Sequence, residues 1–173
     1  WLASIIEICN KENVQLILPG IEQDVRALAE GKEELVKHTK AVPVLNSAEA
    51  LKVGFDKWEL YCFGKENGLK MPPTWLIKDI STGLIPETFF PLLLKPKRGM
   101  AGKGILRVEI RDDLMYWIAH VKSTDYILQQ YIGNDNEEYT VSVFGFYDGT
   151  LSEPFALKRK LSYGSTFEAE TIY

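Results

Sequence analysis

The stretch FFPLLLKPKRGMAGKGILRVEIR, from Phe89 to Arg111, sets Lys95, Lys97, Arg98 and Lys103 around Gly99, Gly102 and Gly104, with no acid from Lys95 to Gly104. The whole chain carries a net charge of -4, so this cation cluster runs against the overall balance. Glycines let successive backbone N–H groups converge on phosphate oxygens because no Cβ holds them apart, and lysines neutralise the charge that arrives. Each charge-assisted hydrogen bond of that kind contributes about 1.5–3 kcal/mol. Lys95 sits in an otherwise apolar run, and a lysine is almost never fully buried unpaired, so its ammonium group is expected to face a cleft. A merely flexible hairpin connection would not need charge of one sign. These residues point to the binding of a phosphate-bearing small molecule.

Three other phosphate loops differ from this one. A P-loop has four residues between its glycines and then Gly-Lys-Ser/Thr, whereas here Gly99 and Gly102 lie closer and Lys103 precedes Gly104. The dinucleotide fingerprint leads from a strand through glycines into a helix, but the residues after Gly104 alternate in the manner of a strand. A protein-kinase loop does lie on a hairpin, yet its lysine comes on the following strand, and no HRD or DFG triplet occurs here. In this chain Lys95 ends the preceding strand.

Two blocks of elements must position the loop. WLASIIEICNKEN reads as an amphipathic helix and VQLIL, bounded by Pro19 and Gly20, as a buried strand. IEQDVRALAEG places Val25, Leu28 and Ala29 on one helical stripe that Gly31 can close. AVPVLN reads as a second strand, and Asn46 with Glu49 as a capping box for the helix carrying ALKVGF. Strands alternating with helices predict a parallel sheet. A further helix is expected from near Asp56 to Gly68, after which KMPPTW imposes an extended connector.

After Pro73 the periodicity changes. PLLLK is a strand, and in ILRVEIR Leu106, Val108 and Ile110 alternate with Arg107, Glu109 and Arg111. RDDLMYWIAHVK reads as a helix capped by Asp112 or Asp113, with Leu114, Trp117, Ile118 and Val121 inward. YILQQYI, the polar loop GNDNEE, YTVSVFGFY, an Asp148-Gly149 turn and TLSEPFALKRKL complete a block predicted as a helix packed on antiparallel strands. Trp58, Trp75 and Trp117 read as core, and His38 and His120 as surface histidines.

At 173 residues, 46% hydrophobic and 25% charged, the chain can bury a sizeable core in one or two soluble units. No apolar run approaches the roughly 20 residues of a membrane span, and no charged segment followed by an apolar one opens the chain, so the expected home is the cytoplasm. Cys9 and Cys62 lack the spacing of a zinc site or a redox pair and read as reduced, buried small side chains. A pI near 5.3 argues against a nucleic-acid surface, which needs net basic charge over one face. The chain starts at Trp1 inside a helical pattern and stops at FEAETIY with no terminator, and the expectation is a piece of a longer protein.

A lysine on a first strand, a basic glycine loop and a second strand resemble the ATP-grasp family, most closely the large chain of carbamoyl-phosphate synthetase, with biotin carboxylase more distant. Asp56-Lys57, Pro72-Pro73-Thr74, FPLLLKP ending at Pro96, LQQYI and EEYTVSVF carry the resemblance, in the family's order and over nearly the whole chain. It implies an α/β fold in which residues 1–54 are the end of a parallel-sheet domain preceding the ATP-grasp domain. Residues 55–173 would be part of that domain, with a small antiparallel lobe over about 72–130 and the start of the large lobe at 131–173.

The resemblance also implies ATP and Mg²⁺ as cofactors. Lys57 and Lys95 match the cations set against the α- and β-phosphates, and Gly99, Gly102, Lys103 and Gly104 the loop that closes over the triphosphate. Gln129, Gln130, Tyr131 and Ile132 fall at the hinge, where main-chain groups of Gln129 and Ile132 meet the adenine edge. Glu138 matches the acid that accepts bonds from both ribose hydroxyls, with Glu137 as the alternative. The position of Gln129 is often an acid in the family, and GNDNEE is slightly long. No catalytic residue or metal ligand is matched here, the family's magnesium ligands falling after the equivalent of Tyr173.

The implied reaction is phosphorylation of a carboxylate to an acylphosphate that an amine or other nucleophile attacks. Small-molecule carboxylate and amine substrates would be the partners, with a possible homo-oligomer in the full-length protein. A non-catalytic nucleotide-binding or sensing module is the alternative. The blander readings place Lys57 as a helix-start decoration and two of Asp135, Glu137 and Glu138 in a solvated acidic loop. Lys158, Arg159 and Lys160 alternate on a strand, with Arg159 or its neighbours a lesser candidate for reaching phosphates or substrate.

Overall fold

Apolar β-branched residues separated by helices are the pattern of a parallel sheet, and the first unit forms a minimal one. In the computed structural model, which describes residues 1–80, 85–100, 102–134, 136–162 and 164–172, the chain divides into two units, Trp1–Lys52 and Val53–Tyr173. In the first, β1 (Leu16–Ile17) pairs in parallel with β2 (Val42–Pro43). Around them stand α1 (Leu2–Lys11), α2 (Glu22–Glu30) and α3 (Lys32–His38), with Cys9, Leu28, Leu35 and Ala41 buried.

Several local expectations are corrected here. VQLIL is not a buried strand throughout, since Leu16 and Leu18 are exposed. Gly31 does not close α2 in a left-handed turn. It has φ of -94°, and α3 begins at the next residue, so the one helical pattern is two helices. The cap of α4 (Ala48–Gly54) is Ser47, whose Oγ accepts from the Ala50 N–H at 3.1 Å, one residue beyond the predicted Asn46.

The second unit opens with α5 (Lys57–Glu66), capped by Asp56. Its central sheet has the order β3–β6–β4–β5, made of β3 (Thr74–Leu76), β4 (Leu92–Pro96), β5 (Leu106–Val108) and β6 (Tyr126–Gln130), every pairing antiparallel. Leu92, Leu94, Val108 and Leu128 turn to one face and bury with Ile77, Ile85 and Leu114. Leu114 comes from α6 (Arg111–His120), which lays Trp117 and Ile118 on the same core, with Val121 just beyond its end. Burial at about 25 cal/mol per Å² of apolar surface is what holds helix to sheet. The cap of α6 is Ile110, with no side-chain bond. Asp112 and Asp113 lie inside its first turn, where they meet the positive end of the helix dipole. Ile110 is therefore exposed rather than buried with Leu106 and Val108.

A second antiparallel sheet follows, β7 (Glu138–Ser142), β8 (Phe155–Ser162) and β9 (Ser165–Ile172), in that order. The Asp148-Gly149 turn forms as predicted, with Gly149 at φ of +84° and Asp148 Oδ1 accepting from the Thr150 N–H at 2.9 Å. The parallel-then-antiparallel α/β organisation read from the sequence is the one observed. Among the described residues no helix is long and apolar enough to cross a membrane.

Candidate functional site

Alternation along β4 sends Leu92 and Leu94 to the core and Leu93 and Lys95 to the opposite face. Lys95 is only half-buried there, and burial is the first reason its ammonium pKa lies below the ordinary lysine value. The positive charge of Lys57 lowers it further, and the carboxylate of Glu138 partly opposes both. Three residues distant in sequence thus share one electrostatic neighbourhood. Among the described residues, two cations and one acid thus meet on a partly dry surface, a balance suited to an incoming polyanion. That is the fit the residues present offer to a nucleotide's phosphates.

Lys57 reaches this place because Asp56 caps α5. Asp56 is 7% exposed, and its Oδ1 accepts from the Trp58 N–H at 2.9 Å. The same carboxylate takes Arg98 Nε on Oδ2 at 3.2 Å. The loop between β4 and β5 is thereby tied to the helix start at further points: the Lys57 N–H donates to the Lys97 carbonyl at 2.9 Å, and Lys57 Nζ to the Gly99 carbonyl at 3.0 Å. Gly102 and Gly104 hold φ of +68° and +73°, a region L side chains rarely adopt. A Cβ on Gly102 would stand 3.4 Å from Gly164 Cα, at the β8–β9 turn. The loop tip therefore lies against the second sheet rather than pointing away from it. Lys103 is exposed, and Ala101 lies outside the described residues.

The segment that joins β6 to β7 borders a cleft of about 340 Å³, lined by Tyr131, Ile132, Asn134, Glu137, Glu138 and Leu161. Glu138 belongs to both places, since it lines the cleft and its charge is felt by Lys95. Arg159, its partner in the β7–β8 register, donates through Nη2 to Glu138 Oε1 at 3.0 Å. Glu137 instead accepts from Asn134 Nδ2 at 2.6 Å, within its own loop. Asp135 of that loop lies outside the described residues.

The main chain at residues 129–131 is engaged within the sheet and its borders. Gln129 stands between Thr74 of β3 and Leu93 of β4, the Gln130 N–H donates to the Pro73 carbonyl, and the Tyr131 N–H donates to the Pro91 carbonyl. What Gln129 offers this face is its side chain, whose Oε1 accepts from Lys95 Nζ at 2.7 Å. Among the described residues no group of three or more His, Cys, Asp or Glu side chains gathers to hold a metal ion.

No family model matches the chain, and no curated protein matches it. Solved structures do. A biotin carboxylase from Campylobacter jejuni, solved as a beta-gamma-ATP complex, is similar at a TM-score of 0.69 and 22% identity, over 87% of this chain and 36% of its own. The fold is ATP-grasp-like. N5-carboxyaminoimidazole synthetase from Staphylococcus aureus, complexed with ADP, has a TM-score of 0.65 at 13% identity, over 97% of this chain and 54% of its own. The biotin carboxylase domain of Hydrogenobacter thermophilus 2-oxoglutarate carboxylase, a dimer with MgADP, ADP and bicarbonate, has a TM-score of 0.62 at 20% identity, over 87% of this chain and 35% of its own. The chain thus spans between about a third and about a half of these proteins.

Within this ATP-grasp-like fold, sequence reasoning left three side chains without a defined role at the cleft. Leu161 lines it, Arg159 braces Glu138, and Thr74 receives Gln129. Thr74 was visible in the Pro-Pro-Thr run, and Arg159 as one cation among three. Nothing local in the sequence singles out Leu161.

Proposed function

We propose that the protein of which this chain is a part is an ATP-dependent ligase of ATP-grasp type. It would phosphorylate a carboxylate and pass the acyl group to an amine or other nucleophile. The observation that carries the reading is the meeting of Lys57, Lys95 and Glu138 in one electrostatic neighbourhood next to the hinge cleft. Lys57 and Lys95 would take the α- and β-phosphates. The loop of Gly99, Gly102, Lys103 and Gly104 would cover them, Gln130, Tyr131 and Ile132 would border the adenine, and Glu138 would receive the ribose hydroxyls. ATP supplies the phosphoryl group, and magnesium would accompany it on carboxylates that the resemblance assigns to positions after Tyr173. These side chains would contribute positioning and charge neutralisation, the larger part of catalysis in phosphoryl transfer.

Within the superfamily we favour a likeness to the carbamoyl-phosphate synthetase large chain, on the Asp56-Lys57, Pro72-Pro73-Thr74 and EEYTVSVF runs. We likewise assign residues 1–54 to a preceding domain and 55–173 to part of the ATP-grasp domain, in a cytoplasmic protein. The test is calorimetry of Mg-ATP on the full-length protein, followed by a carboxylic-acid panel with hydroxylamine to trap acylphosphate as hydroxamate. Tight ATP binding with acid-dependent ADP release and hydroxamate is the expected result. ATP binding without any acid-dependent turnover would favour a nucleotide-sensing module, and absence of binding would overturn the proposal.

A further inference from the structure

Gln129 is the middle member of a hydrogen-bonded row that crosses three strands. Its Oε1 accepts from Lys95 Nζ at 2.7 Å, and its Nε2 donates to Thr74 Oγ1 at 2.9 Å. Thr74 Oγ1 in turn donates to the Pro72 carbonyl at 2.8 Å. The register permits this: Thr74 stands directly opposite Gln129, and Lys95 lies on the diagonal, two residues along β4 from Leu93, the other partner of Gln129. Long side chains on such a diagonal can meet.

The row decides which way the amide points. A hydroxyl has a single proton, and with that proton committed to Pro72 the Thr74 oxygen can only accept. The Gln129 group facing it must then be the NH₂, which leaves the carbonyl oxygen for the lysine. Thr74 is 5% exposed, so water does not compete for its hydroxyl. An amide oxygen in this place aims an ammonium group without cancelling its charge. A carboxylate would aim it equally well but would also pair with it.

We infer that Gln129 and Thr74 are positioning residues that aim the Lys95 ammonium group, on the face of β4 opposite the core, without adding a negative charge beside it, an inference that rests on the phosphate role proposed for Lys95. Among the described residues, the charged groups that bear on Lys95 are Lys57 from α5 and Glu138 from β7, the latter already bound to Arg159 of β8. Gln129 adds no charge to these.

The experiment uses the full-length protein with ¹³Cε-labelled lysine, titrated by NMR without nucleotide, alongside Mg-ATP calorimetry. In Gln129→Glu, the Lys95 resonance is expected to titrate about one pH unit higher, because the added carboxylate favours the charged form. In Thr74→Val, the amide is free to turn its NH₂ toward the ammonium group, and affinity is expected to fall about threefold or more, with Thr74→Ser restoring it. A merely structural Thr74 would lower the melting temperature and leave the Lys95 titration where it was. A wild-type Lys95 titration in Gln129→Glu would overturn the inference, and that variant carries the test if Thr74→Val does not fold. If the wild type binds no ATP while Gln129→Glu still shifts the lysine, the aiming of Lys95 stands and its phosphate role falls.

Discussion

Arg159 Nη2 lies 3.0 Å from Glu138 Oε1, directly across the β7–β8 ladder, while Arg159 Nη1 donates to Thr166 Oγ1 at 3.2 Å on β9. The guanidinium thereby fixes one carboxylate oxygen of Glu138 from the neighbouring strand of the same sheet. Its Nε is buried and finds no hydrogen-bond partner among the described residues. That cost is offset by the charge-assisted bonds at the other end of the fork.

Glu138→Ala is expected to weaken ATP by about tenfold or more, the loss of bonds worth about 1.5–3 kcal/mol to a charged acceptor. Tripolyphosphate, which has no ribose, should bind as well as before or better, because the acid that opposes the Lys57 and Lys95 charges is gone. Competition calorimetry with both ligands reads the difference, and equal losses would remove Glu138 from the sugar. Arg159→Met should give a weaker version of the same pattern.

Lys95→Met is expected to lower ATP affinity at least tenfold through one charge-assisted bond of about 1.5–3 kcal/mol. It should also change the pH dependence of stability. The folded pKa of Lys95 lies below its unfolded value, so between the two the unfolded chain holds more protons and stability rises with pH. The window ends near the ordinary lysine value of about 10.4. Urea unfolding from neutral pH into that window should show the rise in wild type and a flatter profile in the variant.

Asp56→Ala removes a buried cap and the Arg98 anchor together, and should cost about 1–2 kcal/mol in urea unfolding. Asp56→Asn keeps an oxygen for the Trp58 N–H and should recover most of that stability. The exposed Arg98 pair contributes little to it. Limited proteolysis at Arg98 should still be faster in both variants, since both lose the charge that ties the loop down.

Gly104→Ala forces a side chain into a left-handed conformation, with its Cβ 3.0 Å from Pro96 Cγ. A loss of about 1–2 kcal/mol is expected from the backbone alone. Differential scanning calorimetry of Gly104→Ala against Lys103→Ala would separate the two contributions, because the exposed lysine should change nucleotide affinity without lowering the melting temperature.

Much of this was readable along the chain because it is local. The period-two pattern of PLLLK and the helix start near Asp56 depend on near neighbours in sequence, and both appear where expected. The α4 cap fell on Ser47, one residue past the expected Asn46, because adjacent polar side chains compete for the same few N–H groups, and the α6 cap fell on Ile110, two residues before Asp112, with the aspartates in the first turn instead of at the cap. The split between α2 and α3 was hidden because Gly31 is compatible with either a stop or a restart.

From its residues alone the chain determined a parallel block followed by an antiparallel one, and a basic glycine loop next to a lysine that cannot rest in an apolar core. Only the tertiary structure decided that β6 enters between β3 and β4, placing Gln129 against Thr74 and Lys95, and that β7 and β8 pair so that Arg159 meets Glu138. Strand order and register couple residues 34 and 21 positions apart, and they are settled by which hydrophobic faces bury together, a global packing condition that no local pattern encodes.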